Sequence, residues 1–384
     1  MSGRFVRSVC TAALVAGAAA SLVLQAPLAS AAPAARPSPP DQSVSALLSR
    51  LQSLYRKAEE ATETYNATEE RLKKQRAKAG RLNDRLADAR IALTDSRDAA
   101  GRLAREQYQG SHGTLSPYMT FLLSENPEQV LDRGHQIDRA AGQRAATVAR
   151  LTGDARRAAE LAAEARAALH EQQTLAARQK KQRDEVRESL AGVEKMLASL
   201  TGEQLAEIRR LEQRDISEAQ RALLASGRLG GAKAPSEEGG KALEYAFKQV
   251  GKPYVWGAAG PNSFDCSGLT SQAWAHAGDA IPRTSQEQWR TLPKVSLNEL
   301  RPGDLVVYFQ RATHVALYIG NGLVIQAPRP GASVKVSPIA ANPLLGAVRP
   351  DAGKASLRHY VPPSLPGWAL SGSDTGYGSA EAPG

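Results

Sequence analysis

Sixteen seam positions set the first limit on this chain. From about Val44 to Tyr108 one heptad row reads Leu51, Ala58, Tyr65, Leu72, Ala79, Leu86, Leu93 and Ala100. The other reads Leu54, Ala61, Thr68, Gln75, Leu82, Ala89, Ser96 and Leu103. Only Thr68, Gln75 and Ser96 are polar, and the residues between the rows are rich in Glu, Lys, Arg and Asp. An apolar repeat of 3.5 residues keeps one helix face on a partner and specifies a left-handed coiled coil. At 1.5 Å per residue that helix runs roughly 95 Å. Part of this chain must therefore be a rod.

Gly110, Gly113, Pro117 and Asn126-Pro127 break the pattern, so the rod spans 44–226 with a break near 110–127. Tyr118, Met119, Phe121, Leu122 and Leu123 cluster at the break, either as a docking tip or as packing between two arms. From Pro127 to Leu224 helical spacing resumes through Val186, Leu190, Val193, Leu197, Leu200, Leu205 and Ile208. Two long helices around a short break predict an antiparallel hairpin, although a homodimer satisfies the seam equally well. Flanking the rod are an extended Pro-rich linker at 32–43 and a Gly-rich linker at 227–240. All four tryptophans (Trp256, Trp274, Trp289, Trp368) fall in the last third, which places a packed domain at 241–350. Pro, Gly, Ser and Ala then dominate 351–384, the composition of a disordered tail.

The first 31 residues read as an export signal: Arg4 and Arg7, an apolar stretch from Val9 to Leu24, and the small-residue site Ala29-Ser30-Ala31. A membrane anchor competes with that reading, but the apolar run is short and Pro27 follows it. Loss of Arg4 and Arg7 lowers the formal charge from +10 to +8. In an exported protein a basic balance suits an anionic envelope better than nucleic acid, and equally suits mere solubility. Loss of Cys10 with the signal leaves Cys266 as one thiol, which cannot staple its own fold. A lone cysteine is inert or functional according to its neighbours.

Those neighbours are informative. Lys241 to Val250 reads as a helix, and Leu269, Ala273, Trp274 and Ala277 repeat at helical spacing just after Cys266. Strands follow at Leu305–Phe309, Val315–Ile319, Leu323–Ala327 and Val334–Val336, so the domain is α+β. Cys266, in Asp265-Cys266-Ser267-Gly268, sits at a helix mouth, where free N–H groups and the dipole favour a thiolate. His314, which opens the strand HVALYIG, is the candidate base. A three-residue turn Gly320-Asn321-Gly322 would pair Ile319 with Leu323, Leu317 with Ile325 and Val315 with Ala327 on the core face. A two-residue Asn321-Gly322 turn would scramble that pattern. The first register makes His314 and Gln326 diagonal neighbours, and the Gln carbonyl could fix the imidazole tautomer. His112, His135, His170, His276 and His359 have no such context. A phosphate-binding Gly-Lys-Ser/Thr loop and paired-cysteine zinc spacing are both missing, which disfavours a nucleotide or metal enzyme.

The string KPYVWGAAGPNSFDCSGLTSQAW, then PRTSQEQW, RPGDLVVYF and THVALYIGNGLVIQAP, resembles the NlpC/P60 family of cell-wall endopeptidases over about 240–350. The resemblance implies a papain-like fold with no cofactor or metal. It also implies a secreted, wall-associated D,L-endopeptidase that cleaves the D-glutamyl–diamino acid bond of peptidoglycan stem peptides. Cys266 would be the nucleophile, His314 the base and Gln326 the orienting residue. Tyr254, Asp265, Ser267, Arg283 and Ser285 would support the site or line the substrate groove. The third position is often His, so an uncharged Gln326 departs from the pattern. It keeps two other readings open, a weakly active wall-binding scaffold and an amidase or acyltransferase. Signal, coil and head together are similar to cell-separation hydrolases, which implies regulation through the coil or docking to a membrane-complex or divisome partner.

Overall fold

The computed structural model describes residues 43–110 and 127–361. The expected signal, almost all of the first linker, the core of the break with its apolar cluster, and the tail from 362 lie outside the described residues. Helix α1 (Val44–Gly110) and helix α2 (Pro127–Ala198) pack antiparallel. Leu54 lies against Gly192, Tyr65 against Gln179 and Gln75 against Ala168. The expected seam is the one that is buried: Ala79, Leu82, Leu86 and Ala89 pack on Ala158, Leu161, Ala165 and Ala168. Its polar positions have partners. Gln75 donates to the Ala168 carbonyl at 3.0 Å, Ser96 to Asp154, and Thr68 to the Thr64 carbonyl at 3.2 Å. Burial of a polar seam residue is tolerated when its hydrogen bonds are made. No described helix is long and apolar enough to cross a membrane.

The second arm is not one helix. It breaks at Ser199–Leu200, and helix α3 (Gly202–Ala225) starts from a capping box in which Thr201 and Gln204 satisfy each other's backbone N–H. The base of the rod closes with Leu47, Leu48, Leu51 and Tyr55 against Val193, Met196 and Ile208.

The head begins earlier and ends later than composition suggests. Ser236 caps helix α4 (Glu237–Phe247), so the end of the expected 227–240 linker is helical, with Ser236 and Gly239 buried. Asp351, expected in the tail, is 5% exposed and pairs with Arg301 at 2.8 Å and with Ser236. Leu357 still bonds to Pro235, N to O at 2.7 Å. These charges are invisible to a composition argument because each is neutralised only across the fold. Helix α5 (Cys266–His276) and helix α6 (Ser285–Thr291) precede the strands.

Strands β1 (Lys294–Val295), β2 (Leu305–Tyr308), β3 (His314–Gly320), β4 (Leu323–Gln326), β5 (Lys335–Pro338) and β6 (Leu344–Val348) form one antiparallel sheet ordered β1-β6-β2-β3-β4-β5. The sequence does not advertise β1 or β6. Gly346 lies within β6 opposite Val307, where a Cβ would come within 2.7 Å of the Trp289 ring. One sheet face carries Leu305, Val307, Val315, Leu317 and Ile325 onto α4 and α5. The other carries Val306, Ala316, Tyr318 and Val324, and Leu223 of α3 packs on it.

The β3–β4 hairpin combines the two turns weighed above. Leu317 pairs with Ile325 as expected, but the register then shifts and Gly320, not Ile319, faces Leu323. Asn321 and Gly322, with φ of 53° and 69°, make the tight turn, and the irregularity beside Gly320 restores the core register.

Candidate active site

Asp265 builds the mouth of α5. Its Oδ1 accepts from Gly268 N at 2.6 Å, and Arg283 grips both oxygens, at 3.0 Å and 2.7 Å. A side chain at Gly268 would strike the Ala258 carbonyl at 2.2 Å, so this close approach needs glycine. Cys266 follows as the first helical residue, 3% exposed, and the backbone N–H of Val315 donates to its Sγ. That contact seats the thiol beside the start of β3, where His314 stands.

His314 Nε2 lies 2.7 Å from Gln326 Oε1. An amide oxygen only accepts, so Nε2 carries the hydrogen and Nδ1 keeps its lone pair. Nδ1 is buried without a hydrogen-bond partner among the described residues. Of the residues singled out in the sequence, His314 and Gln326 are in contact and Cys266 is seated at the neighbouring Val315, with Tyr254 buried and its hydroxyl pushed up by burial and then by Cys266 and Asp265. Arg283 is placed differently from a free ligand for substrate: it is committed to Asp265, and its Nη1 also donates to Ser267 Oγ at 2.9 Å.

What sequence reasoning missed is that α1 lies across this site. Glu59, Glu63 and Asn66, which lie outside the seam, enter the head, 7%, 1% and 1% exposed. Glu63 Oε1 accepts from Ser267 Oγ at 2.7 Å and stands 4.0 Å from Cys266 Sγ. Its Oε2 accepts from Ser285 N at 2.6 Å and lies 2.8 Å from Ser285 Oγ. Glu59 Oε1 is 3.8 Å from His314 Nδ1, so carboxyls one helical turn apart front the thiol and the imidazole. Asn66 donates to Asp265 Oδ2 at 3.0 Å, and the Tyr65 ring meets Trp256 edge-on at 5.1 Å. Further out, Glu60 pairs with Arg311, and Glu212 of α3 holds Arg329 through two contacts of 2.9 Å. A cavity of about 660 Å³ remains beside His314's partners, lined by Tyr55, Glu59, Phe309, Gln326 and Arg329.

Docking reverses the electrostatics expected of a helix mouth. Burial, then Glu63, Asp265 and Glu59, push the Cys266 thiol well above its ordinary range. Burial lowers His314 to about 4 against the Gln326 bond that favours its charge. The pair is therefore a neutral thiol beside a neutral imidazole, because the rod removes water and adds carboxyls. Burial raises Glu59 to about 8 and Glu63 to about 7. The hydroxyls of Ser267 and Ser285 and the Arg283 charge act against the rise at Glu63, and Ser285 Oγ also lies 2.7 Å from the Ala312 carbonyl.

Comparison with known proteins places the head. The profile of the NlpC/P60 family matches residues 251–346. A probable endopeptidase of Corynebacterium glutamicum is 48% identical over 95 residues, 24% of this chain and 46% of that protein. The match thus spans about half of that relative's length. Among solved structures, the NlpC/p60 domain of the peptidoglycan hydrolase SagA is 35% identical, covering 29% of this chain and 97% of that one, with a TM-score of 0.27. RipD of Mycobacterium tuberculosis, described as a non-catalytic NlpC/p60 domain protein adapted to peptidoglycan binding, is 30% identical. It covers 29% of this chain and 96% of its own, with a TM-score of 0.27.

Proposed function

The C-terminal domain of this chain is an NlpC/P60 domain, and from that premise we propose a cysteine-type peptidoglycan endopeptidase held latent by its own rod. The substrate is the stem peptide, and the bond is that between D-glutamate and the diamino acid. The observation that carries this reading is the constellation at the mouth of α5, with Cys266 beside the strand that bears His314 and Gln326 fixing Nε2–H. With the rod displaced, water returns and the helix mouth favours the thiolate again. Nδ1 takes the Cys266 proton as sulfur attacks the carbonyl, and backbone donors at the start of α5 stabilise the oxyanion. The tetrahedral adduct collapses as the imidazolium gives its proton to the leaving amine, which leaves a thioester on Cys266. Water, deprotonated by His314, releases the D-glutamyl carboxylate and restores the thiol. The export signal would deliver the protein to the wall, and a membrane-complex or divisome partner gripping the coil is the class of ligand that would lift it.

A second reading, a wall-binding scaffold, draws support from Gln326, since a neutral acceptor stabilises imidazolium less than a carboxylate does. A chain starting at Leu200 separates the two, because it loses α1 and α2 yet keeps α3 over the sheet. Mass spectrometry of its stem-peptide digests should show a new amino terminus on the diamino acid. Cleavage at another bond would indicate amidase chemistry, and equal cleavage by Cys266→Ala would end the cysteine mechanism.

A further inference from the structure

The rod touches the head at several places, but in one of them the chemistry is that of a ligand. Tyr65–Trp256, the exposed Glu60–Arg311 pair and the part-buried Glu212–Arg329 pair lie outside the thiol's surroundings. Glu59 reaches His314 without a hydrogen bond, and its Oε2 has no partner among the described residues. Glu63 differs. Its carboxyl enters a cluster made wholly by the head: Ser267 Oγ, Ser285 N–H and Ser285 Oγ, with Arg283 behind Ser267. These groups converge within reach of Cys266 Sγ, 4.0 Å from Oε1. Nothing in the hydrolytic steps above uses them, so their convergence beside the nucleophile is recognition of a carboxyl group.

A γ-linked D-glutamyl unit supplies such a group, because its α-carboxylate stays free a few carbons from the reacting carbonyl. We propose that Glu63 is a pseudosubstrate side chain: its carboxyl fills the cluster of Ser267 and Ser285 that receives the stem peptide's free carboxylate, so rod and substrate exclude each other through one pocket. This inference rests on the endopeptidase reading for the identity of the carboxylate. The rod is then more than a steric cover, since the wall peptide itself competes with the latch. A ligand that binds only the open state shifts the balance toward it.

The test uses the full chain and the reactivity of Cys266, which needs no turnover. Glu63→Ala should raise the rate of Cys266 alkylation by iodoacetamide at least about tenfold, because loss of a buried hydrogen-bonded carboxyl weakens docking. Glu60→Ala, which breaks a contact outside the pocket, should stay within about threefold of the parent. In Glu63→Ala, L-alanyl-γ-D-glutamate should protect Cys266 at about a tenfold lower concentration than its α-carboxamide analogue, because without the docked rod the burial that raises Glu63 is relieved and the charge-assisted bonds remain. An unchanged alkylation rate in Glu63→Ala, or equal protection by the two peptides, overturns the proposal. Should Glu63→Ala lose its cooperative melt, Glu63→Gln keeps the side-chain volume and takes both arms, with a threshold of about threefold. Faster alkylation and selective protection without hydrolysis of any stem peptide would sink the endopeptidase reading and leave the pseudosubstrate assignment standing.

Discussion

Arg283→Ala would leave the Asp265 carboxylate, wholly buried, with only Gly268 N–H, Ser267 and Asn66 for company. An uncompensated buried charge is costly, and a loss of about 3 kcal/mol in unfolding free energy is expected from denaturant titration. Little change would mean that Gly268 N–H, Ser267 and Asn66 suffice to hold the Asp265 carboxylate. Gln326→Ala frees the His314 ring to choose its tautomer, and in the chain from Leu200 kcat should fall by about ten- to a hundredfold with KM nearly unchanged. A rise in KM alone would assign Gln326 to substrate binding instead. These head residues were legible because Cys266, His314 and Gln326 sit within a 61-residue stretch whose helix start and hairpin register can be reasoned out locally. Glu63 was not legible. It lies 203 positions from Cys266 and looks, by itself, like one more solvated carboxylate on a charged helix.

At the scale of the element, the heptad announced the hairpin and predicted which residues face inward. It could not announce a second buried face, because Glu59, Glu63 and Asn66 are polar and only the head buries them. The α2–α3 break was written in Thr201–Gln204, a capping-box spacing hidden inside an otherwise helical pattern. Two carboxyls raised by docking, Glu63 to about 7 and Glu59 to about 8, both by burial, make that docking pH-dependent. Facing Glu63 are Asp265, Cys266 and Arg283, and facing Glu59 are Arg329, Arg56 and His314. A carboxyl raised in the docked state favours docking below its ordinary value and loses that contribution as pH climbs through the raised one. His314, lowered to about 4 by burial, acts in the opposite sense, but only below its ordinary 6.5. Between 6.5 and 8 the carboxyls and the Cys266 thiol, also raised when docked, act in one sense, and docking weakens as pH rises. The alkylation rate of Cys266 in the full chain, divided by that in the chain from Leu200 at the same pH, should climb toward one across that window. A flat ratio would mean that the carboxyls are already ionised when docked.

Seen as a whole molecule, the chain is a head that presents a thiol–imidazole site and a rod whose first helix fills it. The sheet explains the geometry: α4 and α5 cover one face, α3 covers the other, and the site at the mouth of α5 faces α1. Neither the rod nor the head reveals this arrangement separately, which is why sequence reasoning found the catalytic candidates and left the resting position of the rod open. The most direct measurement is the rate of stem-peptide hydrolysis by the full chain, by the chain from Leu200, and by that shorter chain carrying Cys266→Ala. The account predicts hydrolysis by the shorter chain at least about tenfold faster than by the full one, and none above background with Cys266→Ala. Equal rates for the full and shorter chains, or undiminished hydrolysis without the Cys266 sulfur, would contradict it.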